Sequence, residues 1–518
     1  MRENGSITVY MSLIFSVILA LIAGSLQSVR MAHARVLTAA AAEQGLYSVF
    51  SRFDSVLLEE YELFFLDGGC GTGEWQPGNL YQTAEDTVSW ILGMEEGNQI
   101  LDRFSSGLTL ESGSITSYTL ATDNDGEAFF RQVCEAMKQN LGAYGIQQLS
   151  ERLKTQETAW DAQEDQQEIG DSGQTVEEYE QAVKEAEEVK KNQAAEQESG
   201  EVSGTREALS VSGSGENPNP DSQEGQQSVE VPQGFVNPIE VIREIQKKGV
   251  LSLVLPSGQS LPGQAVDPAQ LASNRNLQEG LQVIHTEREV EFVDKLLQNE
   301  YLLWKFPCYT DHEDTKGLQC QIEYAIAGKE SDMENLKSVA GQLLAAREAA
   351  NVIHILGSPE KRSQVNAMAA TIAAALALPI ATGIVSAALI ACWAFAESVL
   401  DVRELLDGGK IALVKTDSSW QLALENLPQI LDGLDSLRKS SDNGLSYKDY
   451  LRILLLKEDS SEVNRKTMDL VEHNMRTRLG VPGFCMDQCI FSMGIEWNLR
   501  YAAQSLNVIR EYSYGTEV

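Results

Sequence analysis

The clearest hydrophobic pattern in the chain is an uninterrupted apolar run near its start. No charged residue occurs from Asn4 to Val29, and Ile7 to Leu26 form twenty mainly apolar residues. A helix of this length, at about 1.5 Å per residue, crosses the roughly 30 Å hydrocarbon core of a bilayer. The pattern predicts a transmembrane anchor over 6–29. A cleaved secretory signal is the alternative, but the small residues Ala32 to Ala34 that fit a cleavage site lie too far beyond the run.

The apolar pattern after the anchor changes to that of a helix with one buried face. Apolar residues recur at helical spacing from Leu46 to Leu57, and polar residues occupy the other face. This predicts an amphipathic stalk helix that continues the anchor. The segment Tyr61–Leu66 then predicts a short buried strand that closes at the turn of Asp67, Gly68 and Gly69.

Both strand and helix periodicities occur in the second half of the chain. Alternation of apolar and polar residues predicts strands at 317–328 and 489–499, and 506–514 is the expected antiparallel partner of the latter. The segment 331–356 has the pattern of a long helix. These elements predict an α+β fold with a mixed helix and antiparallel-sheet body.

A second long uncharged segment, 363–396, has two interpretations. It is rich in alanine, and Pro379 with Gly383 divides it into halves that are each shorter than a membrane-spanning helix. This favours a buried helical hairpin. A second membrane span remains the alternative, and it would return the C-terminal residues to the cytoplasm.

The middle of the chain is strongly acidic. Residues 161–230 contain nineteen acidic and four basic residues, and their end is rich in Ser, Gly, Asn and Pro. Such a composition buries too little apolar surface to offset its ordering entropy. We therefore expect an acidic disordered linker.

The expected regions are a cytoplasmic leader (1–5), the transmembrane anchor (6–29), a membrane-proximal helical or α+β region (30–150), the linker (151–234) and a C-terminal α+β domain (235–518) with the apolar hairpin (363–396).

Charge narrows the possible partners. The formal net charge is −36. Nucleic acid is excluded as a partner because binding to phosphates needs a Lys/Arg surface. Anionic lipid headgroups would also repel the body of the chain. Contact with membrane lipid is therefore expected only through the inserted N-terminal helix.

Candidate chemistry in the sequence is sparse. The five histidines are scattered without the spacing of a metal site, and no nucleophile motif is present, so we predict no metal, no cofactor and no enzymatic activity. A polar cluster follows the uncharged segment: Glu397, Asp401 and Arg403. Two carboxylates on one helix face can bind a cation or act as acid and base. The alternative is a buried polar network in which they pair with Arg403 or Arg347.

Several segments of the chain resemble a known family. They are GSITVYMSLIF at the start, SVRMAHARVLTAAAAEQGLYSVFSRFDSVLLEEYELFFLD after the anchor, and QIEYAIAGKESDMENL and CWAFAESVLDVRELLDGGKIALVKT later. They resemble an uncharacterised family of Gram-positive membrane proteins associated with Tad/Flp pilus systems, which is similar at the N-terminus to the pseudopilin-like TadE and TadG proteins. The resemblance covers nearly the whole chain apart from its acidic middle. It implies a cytoplasmic N-terminus and an external body.

The resemblance also points to a possible processing junction. Pilin-like proteins are cut after a glycine that precedes the apolar helix, and Gly5 before Ser6 occupies that place. The usual glutamate five positions into the mature chain is replaced by Tyr10, which puts cleavage by a prepilin peptidase in doubt. The alternative is an uncleaved anchor of the TadG type.

Together these observations predict a single-pass cell-membrane protein with most of its mass outside the cell. Its expected role is structural or interactive, as an accessory or pseudopilin-like component of a Tad-type pilus or secretion system. Its expected partners are other pilus, secretion or envelope proteins. A surface hydrolase and a two-span signalling protein are the alternative functions.

Overall fold

The structure of the chain is a computed structural model. It describes residues 4–93, 107–164, 172–199, 233–259, 261–283, 290–311, 316–377, 380–430, 434 and 436–515. A single N-terminal helix leads into a body of many helices and one antiparallel sheet. The mixed helix and antiparallel-sheet class with an N-terminal apolar helix is therefore confirmed.

Fourteen α-helices and six strands lie in the described residues. The helices are α1 (Asn4–Phe50), α2 (Ser55–Tyr61), α3 (Pro77–Ile91), α4 (Asp123–Glu164), α5 (Ser172–Ser199), α6 (Pro238–Gln246), α7 (Val250–Val254), α8 (Phe292–Lys305), α9 (Gln321–Ala327), α10 (Asp332–Gly357), α11 (Pro359–Leu376), α12 (Thr382–Leu406), α13 (Tyr447–Lys457) and α14 (Ser460–Thr477). The strands are β1 (Leu66–Asp67), β2 (Leu108–Leu120), β3 (Lys410–Ile411), β4 (Leu445–Ser446), β5 (Cys489–Tyr501) and β6 (Gln504–Ser513). Helix α4 is broken at Gly142, where φ is 66° and ψ is 163°.

The main sheet is built around β5. Strands β1 and β6 pair with one edge of β5 and β2 pairs with the other, all antiparallel. The hairpin of β5 and β6 confirms the antiparallel strands predicted at 489–499 and 506–514. Because β1 and β2 come from the first quarter of the chain, the sheet joins the region predicted at 30–150 to the domain predicted at 235–518.

The described residues form two large hydrophobic cores. The first packs one face of α1 and α3 on the sheet, where alternate β5 side chains such as Ile495 and Trp497 are buried. The second is larger and is almost entirely helical, with α12 at its centre. The apolar residues of α1 before Met31 belong to neither core.

Local capping explains where the long helices of the second core begin. The Ser331 hydroxyl accepts from the Glu334 amide at the start of α10, which confirms the helix predicted at 331–356. Ser358 caps α11 in the same way, and Pro359 occupies its first position, where a missing N–H costs nothing. Helices α11 and α12 then form a helical pair over the uncharged segment, with most of α12 buried in the protein.

The strand predicted at 317–328 is wrong. The chain forms helix α9 there, and it ends at Gly328 in the left-handed conformation, with φ of 63°. The alternation of apolar and polar residues gave a wrong prediction because polar residues are buried here as well: Gln321 and Glu323 are both fully buried. Burial on all sides removes the link between polarity and exposure on which a strand prediction depends.

Two predictions near the stalk differ from the structure. Helix α1 stops at Phe50, and a new helix starts after Asp54, whose carboxylate accepts from the amides of Val56 and Leu57. The predicted strand 61–66 contributes only Leu66 to β1, because α2 extends to Tyr61 and residue 62 adopts a left-handed φ. The capping aspartate and the left-handed residue break the regular pattern on both sides of α2.

The segment predicted as the acidic disordered linker, 151–234, contains helices where it is described. The end of α4 buries Trp160, and α5 buries Val176 and Tyr179 against the body. Acidic side chains occupy the outer faces, so a low average hydrophobicity conceals a narrow apolar stripe. Residues 165–171 and 200–232 lie outside the described residues.

Candidate functional site

The first half of helix α1 is an apolar surface without protein partners among the described residues. Gly5 and Ser6, the possible processing junction, lie in its first turn. Every side chain from Ile7 to Arg30 is exposed, including large apolar ones on all sides of the helix, such as Leu21 at 67%. A helix that is apolar all round needs an apolar environment.

The second half of the same helix is fixed to the body. Its buried residues recur at helical spacing along one face: Ala34, Thr38, Ala41, Ala42, Leu46, Val49 and Phe50. Gly45 lies on this face, and a Cβ there would be 2.8 Å from Val88 Cγ2 and 3.1 Å from the Ala84 carbonyl oxygen of α3. The close approach of α1 and α3 thus depends on a residue without a side chain.

The end of the chain holds the base of α1. The Tyr514 hydroxyl donates to the Phe50 carbonyl, and the Phe50 ring lies 4.6 Å from that of Tyr512 and 5.0 Å from that of Tyr514. Tyr47 adds an edge-on contact with Tyr512 at 5.3 Å. Aromatic pairs at these distances contribute about 0.5–1.5 kcal/mol each beyond their burial. These contacts fix the C-terminal end of α1 to the main sheet and to the residue that follows β6.

Glu397 and Asp401, the predicted polar cluster, meet inside the second core. They lie one turn apart on α12 and are both fully buried. Between them lies the Lys415 ammonium, with Nζ at 2.7 Å from Glu397 Oε1 and 2.6 Å from Asp401 Oδ1. The Gln421 and Leu422 amides donate to the Glu397 oxygens at 2.8 and 2.9 Å. The segment after β3 is thereby held across α12.

A second cation completes the cluster. Arg347 of α10 donates from Nε and Nη2 to Asp401 Oδ2, at 3.1 and 3.0 Å. Its Nη1 donates to the Leu413 carbonyl and the Tyr450 hydroxyl. Arg403, which the sequence grouped with the two carboxylates, points elsewhere and donates to the Leu253 carbonyl and the Ser257 hydroxyl. Of the predicted partners, the structure places Arg347 in the network and Arg403 outside it.

The environment separates the acidities of the two carboxyl groups. Burial raises the pKa of Glu397 above its ordinary value, and the Asp401 charge adds to that effect. Burial also acts to raise the pKa of Asp401, but the Lys415 ammonium and the Arg347 guanidinium outweigh it and hold that pKa below its ordinary value. Asp401 therefore keeps its charge, whereas Glu397 is the more ready proton acceptor.

The cluster is closed to solvent. The side chains of Arg347 and Lys415 are each 1% exposed. Trp420 lies above Lys415, with Nζ 5.7 Å from the ring centroid, and contacts Trp393 edge-on at 5.1 Å. Neither Glu397 nor Asp401 lines the two cavities beside α14.

Two neighbouring cavities lie elsewhere, beside α14. One of about 400 Å³ has polar and charged residues in its wall, including Ser273, Tyr324, Lys329, Arg465 and Lys466. The other, of about 210 Å³, is lined in part by Asp469, Glu472 and His473. Among the described residues, no three His, Cys, Asp or Glu side chains are placed to hold a metal ion.

The carboxylates at the smaller cavity are occupied by hydrogen-bond donors. Asp469 accepts from the Ser273 amide and hydroxyl at 2.8 and 2.6 Å and from the Tyr324 hydroxyl at 2.9 Å. Glu472 pairs with Arg275 through both oxygens and with Arg476 at 2.6 Å. These bonds hold the segment 263–283 against α14, so the carboxylates have a structural role.

Sequence reasoning missed Lys415 and Gln421 as members of the buried network. The only local signal is a single lysine that ends the apolar run Ile411–Val414. Such an isolated cation next to apolar residues is common at surfaces, so the signal is weak. Fourteen positions separate Lys415 from Asp401, and only the return of the chain over α12 brings them together.

Comparison with known proteins gives one match. The model of the "Family of unknown function (DUF5702)" matches residues 226–501. This range covers helices α6 to α14, the buried cluster and β5, but not α1 to α5 or β6. No curated protein and no solved structure matches the chain.

Proposed function

We propose that this chain, which belongs to the Family of unknown function (DUF5702), is a membrane-anchored extracytoplasmic protein that acts by binding other proteins. The observation that carries the proposal is the division of α1 into an exposed apolar half and a half packed on the body. A bilayer covers the first half while the second fixes the anchor to the external domain. The resemblance of the N-terminal segments to TadE/TadG-like proteins gives the expected orientation, with the N-terminus in the cytoplasm.

The length and the polar groups of the exposed half suit a bilayer. Ile7 to Leu26 span about 30 Å as a helix, which equals the hydrocarbon thickness. The Ser12 and Ser16 hydroxyls donate to the Val9 and Leu13 carbonyls of the same helix, at 2.9 and 2.8 Å. Hydroxyls satisfied within the helix can enter lipid without the cost of an unpaired polar group.

The same features support a role in a helical assembly. Small and polar residues on a membrane helix allow close contact with other helices, and Ser6, Thr8, Ser12 and Ser16 are of this kind. We therefore place the chain as an accessory or pseudopilin-like component of a Tad-type pilus or secretion system. Deletion of the gene is expected to reduce appendage assembly and surface adhesion, and unchanged assembly in the deletion strain would reject this role.

A binding role is favoured over catalysis by the state of the buried carboxylates. Glu397 and Asp401 are saturated by Lys415, Arg347 and backbone donors, and solvent does not reach them. A hydrolase would need two carboxylates on an open cleft with room for a substrate. The proposed function therefore resides on the surface of the protein and on its anchor.

The topology can be tested with a native cysteine. All seven cysteines are free thiols, and Cys70 is the exposed one. A membrane-impermeant maleimide applied to intact cells is expected to label the wild-type protein but not the Cys70→Ser variant. Labelling of the wild type only after the cells are opened would contradict an external body.

A second reporter distinguishes one membrane span from two. In the Cys70→Ser background, Thr516→Cys places a thiol near the end of the chain. Labelling of this variant in intact cells is expected with a single span and a buried α12. If Cys70 of the wild type is labelled but Thr516→Cys is not, α12 crosses the membrane and the two-span signalling alternative replaces the proposal.

The mass of the N-terminal peptide from the same protein shows whether the chain is cut between Gly5 and Ser6.

A further inference from the structure

We propose that Lys415 and Asp401 become joined by an intramolecular amide bond, with Glu397 transferring the protons. The bond links Lys415 Nζ to Asp401 Cγ and releases one water molecule. The inference does not depend on the function proposed above. It rests on the arrangement of one amine and two carboxyl groups in the closed interior of the helical core.

The reacting atoms are already close. Lys415 Nζ lies 2.6 Å from Asp401 Oδ1. Since a carbon–oxygen bond adds at most about 1.2 Å, Nζ is less than about 4 Å from Cγ. This approaches the separation of about 3–3.5 Å at which held reactants gain most from proximity. Neither side chain can move away, because α12 fixes Asp401 and the segment after β3, which is held across α12, fixes Lys415.

Glu397 and Arg347, which contact the two reacting side chains, have complementary roles. Glu397 Oε1 lies 2.7 Å from Nζ and is positioned to take its proton, which agrees with the raised pKa of that carboxyl. Arg347 donates twice to Asp401 Oδ2. A guanidinium so placed stabilises the negative charge that develops on this oxygen when the amine adds to Cγ.

The reaction balances without any added reagent. In the ion pair Asp401 is charged, so Lys415 Nζ first gives one proton to Glu397, which passes it to Asp401 Oδ1 and leaves a neutral amine beside a neutral carboxyl group. The amine lone pair then forms the bond to Cγ while the carbonyl electrons move to Oδ2. Glu397 takes a second proton from Nζ and delivers it to Oδ1. Oδ1 leaves as water, the Oδ2 electrons restore the carbonyl, and Glu397 returns to its starting state. No atom is oxidised or reduced.

The surroundings favour the amide over the ion pair. An ion pair buried in an apolar core bears a desolvation penalty for each of its two ions. Condensation removes one positive and one negative charge from the interior. The same closure that places Trp393 and Trp420 around the cluster excludes the water needed to hydrolyse the product.

Peptide mass spectrometry of the full-length protein, purified from membranes in detergent, tests the proposal. Trypsin does not cut after an acylated lysine, so the expected product is peptide 363–403 linked to peptide 411–438, lighter than their sum by one water. Fragmentation should assign the link to Asp401 and Lys415. Complete cleavage after Lys415 in the wild-type protein overturns the proposal, and so does a link that maps to Glu397.

Variants give matched controls. Lys415→Arg keeps the positive charge but should lose the linked peptide completely, whereas Lys410→Arg, at an exposed position nearby, should retain it. Glu397→Gln should also lose the link while far-ultraviolet circular dichroism shows the native helix content. A folded Glu397→Gln protein that still carries the link would contradict the proton-transfer role of Glu397. Should a variant fail to fold, the wild-type digest alone decides whether the bond exists.

Discussion

Two helices of this protein are long and apolar enough to cross a membrane, yet they have opposite surroundings. None of the apolar window of α1 is buried inside the protein, whereas 67% of that of α12 is buried. Helix α12 also has Glu397 and Asp401 on one face, and both find cationic partners. Helix α1 has no charged residue before Arg30.

The difference teaches that apolar length alone does not identify a membrane span. Helix α12 is covered by α5, α10 and α11, and it forms the centre of the large core. The first half of α1 has no such cover among the described residues. Comparable substitutions should therefore lower the stability of the body strongly when they lie in the environment of α12 and hardly at all when they lie in the first half of α1.

The largest effect is expected at the buried charges against α12. In the Lys415→Arg background, in which the proposed amide cannot form, Arg347→Met leaves Asp401 with one cation in a dry environment, and breaking a buried pair costs about 3–5 kcal/mol. We expect a loss of that size in the free energy of unfolding, measured by urea denaturation in detergent. Arg35→Met on the exposed side of α1 is the control, with a change within about 0.5 kcal/mol. Equal stability of the two variants would show that the Arg347 pair contributes nothing.

Deletion of apolar side chains gives a matched pair of leucines. Leu389 on α12 is fully buried, and Leu389→Ala should lower the free energy of unfolding by about 2–5 kcal/mol through the cavity it leaves. Leu19 on α1 is 50% exposed, and Leu19→Ala should leave the stability of the body unchanged within about 0.5 kcal/mol. If Leu19→Ala destabilised the body as much as Leu389→Ala, the first half of α1 would have to pack on the protein.

The stability of the body is also expected to depend on pH, through the buried residue Glu323. Burial raises the pKa of Glu323 to about 7, while its Oε1 accepts from the Tyr309 amide and the Tyr447 hydroxyl. The neutral form is thus favoured by folding, so its stabilising contribution is full below about pH 4.5 and is lost as pH rises through 7. We expect the body to lose about 2–4 kcal/mol of stability across this window.

Glu323→Gln provides the control for this titration. The amide cannot ionise, so the stability of the variant should change less between pH 4.5 and pH 8 than that of the wild type. The segment 7–29 has no charged residue, so membrane retention should be constant across the same range. A wild-type stability that rises with pH above 5 would contradict the assigned direction.

The smallest effect is expected at a pair of glycines on α1. Gly45→Val would force a side chain against Val88 and the Ala84 carbonyl of α3, and overpacking of this kind costs about 1–3 kcal/mol. Nothing lies within 4 Å of a Cβ at Gly24, so Gly24→Val should leave the body unchanged. Thermal unfolding followed by circular dichroism would measure both. A destabilising Gly24→Val would indicate a protein contact in the first half of α1.

Features with strong local signals were predicted correctly. The apolar N-terminal helix follows from an uncharged run, the α10 helix from its helical residue pattern, and the β5–β6 hairpin from the alternation of apolar and polar residues. In each case the residue pattern and the burial of the element agree. The error at α9 arose because Gln321 and Glu323 are buried polar residues, which a sequence pattern assigns to the outside.

Tertiary contacts decided the remainder. The sequence alone determined an apolar N-terminal helix, an α+β body and the placement of Glu397 and Asp401 on one face of a helix, since each depends on residues a few positions apart. Only the folded chain decided that α12 is enclosed by the body, that Lys415 and Arg347 pair with those carboxylates, and that β5 joins the two ends of the chain. These features depend on contacts between distant segments, and the free energy of those contacts comes from burial that no local pattern records.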